Sequence, residues 1–118
     1  MAEQVIYASA VRTATPTAVE VNTRRFKSVT VVLDATVHAV SAALTITIDR
    51  KDNTSGKYIN ILTSASITTV STNTIRVGVG LPVTANVSAN EPMPNVIRIG
   101  VTHGNANAVT YTVSAHLN

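Results

Sequence analysis

From Leu44 to Leu62 the chain reads LTITIDRKDNTSGKYINIL, and both ends of this stretch alternate apolar with polar residues. Leu44, Ile46 and Ile48 alternate with Thr45, Thr47 and Asp49; Ile59 and Ile61 alternate with Tyr58, Asn60 and Leu62. Successive side chains of a strand point to opposite faces, so period two on both sides of a polar turn predicts a β-hairpin. The Lys51–Gly56 connection is longer than a two-residue turn, and Gly56 is expected to supply a positive-φ position near its end.

The same period recurs along the chain. Strands are expected over Val5–Arg12, Phe26–Thr36, Ile67–Ser71, Thr74–Val79, Ile97–Val101 and Val109–Leu117. Thr13–Asn22 holds Pro16, which lacks a ladder donor and keeps its predecessor extended, so this segment reads as an edge or an extended arm. Val37–Ala42 and Gly80–Asn95 read as loops, the second carrying Pro82, Pro92 and Pro94, and Ser71–Asn73 and His103–Asn105 read as turns. No window sustains helical spacing over ten residues. About eight strands at such spacing predict an all-β, single-domain sandwich spanning 1–118, jelly-roll-like, with an immunoglobulin-like sandwich as the alternative. Residues 1–25 are the candidate N-terminal arm.

The 118 residues suffice for one modest core, and with one Phe, three Tyr and no Trp that core must be built from Val, Ile, Leu and Ala. The net charge is +3, with the basic residues scattered and closest together at Arg24, Arg25 and Lys27. Nucleic-acid surfaces cluster such residues with aromatics between them, so no nucleic-acid partner is expected. No apolar run reaches the ~20 residues of a membrane span, and no secretory signal is expected from the Met1-Ala-Glu-Gln opening. The chain is expected to be made and soluble in a cytoplasm.

Catalytic patterns are missing. His38, His103 and His116 pair with no second ligand at metal spacing, no G-x-S-x-G elbow is present, and there is neither a phosphate loop nor a dinucleotide fingerprint. With no Cys there is no thiolate site. Asp49, Asp52 and Asn53 fail the helical Ca²⁺-loop spacing and read as turn caps. No enzyme activity, metal or cofactor is expected. A carbohydrate-binding module is disfavoured by the few aromatics.

Four strings carry a resemblance: S-A-x-R-T-x-T-P-T from Ser9, V-V-L-D-A-T from Val31, D-x-x-S-G-K-Y from Asp52, and T-H-x-x-A-x-x-x-T-Y from Thr102. With these the chain resembles a family of small tailed-bacteriophage virion proteins, identified as capsid decoration or cement proteins. The resemblance implies a structural β-sandwich on the capsid exterior, a homotrimer bridging major capsid subunits, made in the bacterial host cytoplasm. Alternatives are a head–tail completion or tail structural protein, or a carbohydrate-binding surface module. Partner contacts are expected on the first segment, at Tyr7, Arg12, Pro16, Arg24 and Arg25, with the Gly80–Asn95 loop as a second candidate.

Overall fold

The computed structural model describes residues 2–118, which form nine strands and no helix. They are β1 (Ala2–Arg12), β2 (Val19–Asn22), β3 (Ser28–His38), β4 (Leu44–Lys51), β5 (Tyr58–Thr63), β6 (Ser71–Gly78), β7 (Ser88–Asn90), β8 (Val96–His103) and β9 (Val109–Leu117). One sheet runs β1-β9-β3-β6-β7 and the other β2-β8-β4-β5.

Alternation does the folding. Val29, Val31, Leu33 and Ala35 of β3 face Ile46 and Ile48 of β4 and Ile97, Ile99 and Val101 of β8 across one core, all essentially inaccessible. Strand β9 contributes Val109, Tyr111, Val113, Ala115 and Leu117 to the same layer. Each of the Val, Leu and Ile side chains stabilises the fold by roughly 1.5–3 kcal/mol through burial. Their intervening residues, largely Thr and Ser, face outward.

With β7 set aside, the strands pair first with last and inward: β1 with β9, β2 with β8, β3 with β6, β4 with β5. All four pairs are antiparallel. This nesting is the jelly-roll wrap of a two-sheet sandwich and differs from the immunoglobulin order.

Several local expectations change. Ser71–Asn73 lies within β6, paired with Ala35–Leu33, and does not turn. Val37 and His38 continue β3 beyond a register shift after Ala35, which turns Val37 outward to 61% exposure. A shift between Ile48 and Asp49 brings Leu62 into the core and leaves Ile59 exposed. The Gly80–Asn95 stretch contains β7, parallel to β6, and Val19–Asn22 forms β2, while the strand expected over Ile67–Ser71 is reduced to an isolated Leu44–Ile67 bridge, so there are nine strands where about eight were expected. Residues 2–12 and 19–22 do not stand free as an arm: each pairs as the edge of one sheet. The hairpin turn is as expected, with Gly56 at φ 74° and the Asp52 carboxylate accepting from Thr54 N (3.3 Å) and Ser55 Oγ (2.7 Å). Those bonds hold the Asp52 carboxyl below its ordinary range.

Candidate functional site

Three places gather side chains from distant parts of the chain. The first is a knot around Arg12. Between Tyr7 and Ala10 the β1–β9 register slips, so residues 8 and 9 bulge. The Arg12 guanidinium lies at that bulge. It donates to the carbonyls of Ala8 (2.7 Å), Ala10 (3.3 Å) and Tyr111 (3.0 Å). It also lies over two rings, 5.3 Å from Tyr7 and 4.7 Å from Tyr111. The fork of five N–H donors suits several carbonyls at once.

The knot also pins the crossing from β1 to β2. The Tyr7 hydroxyl donates to the Thr17 carbonyl at 2.7 Å, and the His103 amide donates to Thr15 Oγ1 at 2.9 Å. A strap, residues 13–18, is thereby tied to both sheets. His103 Nε2 lies 2.9 Å from the buried Tyr111 hydroxyl, and its Nδ1 is buried without a hydrogen bond among the described residues. Burial, and then the Arg12 charge, hold the His103 pKa below its ordinary value. Burial pushes Tyr111 up to about 12, opposed in part by Arg12 and reinforced slightly by Tyr7. Burial likewise raises Tyr7, against the pull of Arg12. At neutral pH the knot therefore holds one cation, a neutral imidazole and two neutral phenols. Tyr111 is fully buried, and its hydroxyl is engaged by His103 inside the fold.

The second place is the outer face of the β2-β8-β4-β5 sheet. Four strands bring Glu20, Arg98, Asp49, Lys51, Tyr58 and Asn60 together there. Arg98 donates to Asp49 Oδ2 at 3.0 Å and stacks 3.7 Å from the Tyr58 ring centroid. Asn60 donates to Asp49 Oδ1 at 3.0 Å, Lys51 donates to Glu20 at 3.3 Å, and the Tyr58 hydroxyl donates to Glu20. Beside this network a groove of about 330 Å³ runs beneath the strap, between Pro16 and Ala18 on one side and Thr47, Gly100 and Thr102 on the other.

The third place is the turn from β2 to β3. Thr23 is buried, and its amide donates to the Asn95 carbonyl at 2.9 Å. The Asn22 side chain accepts from Arg24 N at 3.0 Å. This fixed turn presents Arg24, Arg25 and Lys27 to solvent. Among the described residues the ion pairs are Arg50–Glu91, Lys51–Glu20 and Arg98–Asp49, so none of these three cations has an acidic partner.

The five residues singled out in the sequence thus part ways. Tyr7 is 8% exposed and engaged internally with Arg12; Pro16 lines the groove; Arg24 and Arg25 face water. The sheet network and the His103–Tyr111 bond were not anticipated. The available signal was that Glu20, Asp49, Lys51, Tyr58 and Arg98 all fall on the polar phase of their strands. No group of three His, Asp or Glu gathers at metal-binding distance among the described residues. Comparison with protein-family models, with curated proteins and with solved structures returned no match to this chain.

Proposed function

We propose that this protein is a structural component of a phage virion, docking on the outer capsid surface and cementing neighbouring major capsid subunits, itself a homotrimer. The observation that carries the reading is a mixed cationic and apolar end of the sandwich. Ser28, just after the Arg24–Lys27 turn, pairs with Gly78, just before the 79–87 loop, so both loops leave the same end. The first offers three cations without acidic partners; the second exposes Val79, Val83 and Val87 and carries no charge. Apolar contacts supply affinity there and the cations supply orientation toward an acidic surface. A docking protein of this kind needs rigidity and repetition, since many weak contacts sum over a lattice, and binding only the assembled shell stabilises it by mass action.

The test is decoration of heads by Arg24→Glu/Arg25→Glu. Removing the segment before Phe26 would also delete two strands, whereas charge reversal on an exposed turn leaves the core untouched. The expected result is a large loss of occupancy with unchanged thermal stability. Wild-type occupancy by the double variant, or particle density confined to the tail vertex, would overturn the reading.

A further inference from the structure

The groove beneath the strap has a chemistry that head binding does not use. Its floor is Gly100, where an added Cβ would lie 3.3 Å from both Ala18 Cβ and Thr47 Oγ1. The space depends on having no side chain there. Arg98 and Asp49 stand at one end, and the hydroxyls of Thr15, Thr47 and Thr102 line the rest.

Arg98 is held in place by the Tyr58 ring at 3.7 Å and the Asp49 carboxylate at 3.0 Å. Its Nη1 makes no hydrogen bond among the described residues, which leaves donors for a ligand. Because Asp49 matches the charge, an ion gains no net attraction from the pair. The hydroxyl lining would be desolvated at a cost by an apolar ligand. A guanidinium N–H beside a carboxylate oxygen presents one donor and one acceptor together. Vicinal hydroxyls answer that pattern, since each both donates and accepts. A side chain already clamped on two sides loses little further freedom on binding.

We propose that this groove binds a neutral sugar, with vicinal hydroxyls on Arg98 and Asp49 and the C–H face of one ring against Pro16 and Ala18. The few aromatics in the chain disfavour recognition by ring stacking; hydrogen-bonded recognition needs none. This site stands apart from the head-binding reading, and either can fail alone.

The experiment is an amide and guanidinium NMR titration of the full chain with glucose, galactose, N-acetylglucosamine, glucuronate and inorganic phosphate. The expected result is saturable shifts at Thr47, Arg98 and Gly100 with at least one neutral sugar. Arg98→Lys keeps the charge but loses the fork and the stack, and should weaken that binding by roughly tenfold or more. Thr102→Val removes an exposed hydroxyl, serves where Arg98→Lys disturbs the sheet, and should also weaken it. A neutral bacterial polysaccharide run in parallel separates the sources: line broadening at the same residues marks a polymer ligand, and shifts with monosaccharide alone mark a free sugar. The proposal is overturned by no saturable shift with any neutral sugar, by shifts centred on Arg24–Phe26, by preference for glucuronate or phosphate, or by both variants binding as wild type.

Discussion

Replacing Arg12 with methionine keeps a long apolar stem and removes the guanidinium, so it isolates what the bulge plug contributes. Three carbonyls lose a charged donor. A hydrogen bond to a charged group contributes about 1.5–3 kcal/mol where water is excluded. The Ala8 and Ala10 bonds are exposed, and water replaces the lost donor there, so about 0.5 kcal/mol each is a fair allowance. The Tyr111 carbonyl is partly buried and accounts for roughly 1–1.5 kcal/mol. Two ring contacts add about 0.5 kcal/mol each at such exposure. Together Arg12→Met should cost about 3–3.5 kcal/mol, a fall of roughly 13 °C in Tm for a chain of this size. Urea unfolding followed by far-UV circular dichroism measures it directly, since no Trp is present. Arg12→Lys should fall between the two, because one ammonium cannot span three carbonyls. A loss under about 0.5 kcal/mol would refute the plug and return Arg12 to the solvated surface.

The knot has a pH signature. His103 has a folded pKa below its unfolded value near 6.5, so the folded state binds fewer protons. Stability should therefore be unaffected by this group above that value and fall as the pH drops through it toward the depressed folded pKa. His103→Gln should flatten that part of a Tm-against-pH curve; an unchanged slope would assign the acid sensitivity elsewhere. Spectrophotometric titration should show Tyr111 ionising at about pH 12, and Tyr111→Phe should remove that step. Gly56→Ala meets no neighbour within 4 Å but sits at φ +74°, so it should cost about 1 kcal/mol through backbone strain alone, read by the same urea assay.

Alternation was legible because burial enforces it: β9 spans Val109–Leu117 as read, with every second side chain buried. Where the ladder slips, the reading failed. Val37, Ile59 and Ile61 are apolar and in phase by sequence, yet register shifts at Ala35/Val37 and Ile48/Asp49 move the buried set. Strand β7 offered no signal, since Ser88–Asn90 has no apolar period and is held by β6. Arg12 reads as a partner contact because its internal engagement arises only where β1 slips against β9 and brings it to Tyr111, 99 positions away. The Arg98–Asp49 pair likewise depends on β4 lying beside β8, a pairing fixed by the whole wrap and by no local string.

That wrap also sorts charge by end, and this decides how a docked molecule must stand. Loops 13–18, 39–43, 64–70 and 104–108 join strands at the end opposite Arg24–Lys27, and none contains Asp, Glu, Lys or Arg. The long dimension is 38 Å, several Debye lengths at physiological salt, so a partner at the neutral end barely senses the cationic turn. Docking through the cationic end predicts head binding that weakens steeply from ~0.05 to ~0.5 M salt, with a slope that Arg24→Glu/Arg25→Glu abolishes. Docking through the opposite end, where the Arg12 charge is engaged internally, predicts binding only weakly sensitive to salt and indifferent to those variants. Sedimentation of decorated heads across a salt series separates the two. In the cationic-end orientation Pro16, Gly100 and Thr102 lie toward the free end, so the groove stays open on the particle. Salt-indifferent decoration would invert that geometry and place the groove against the shell.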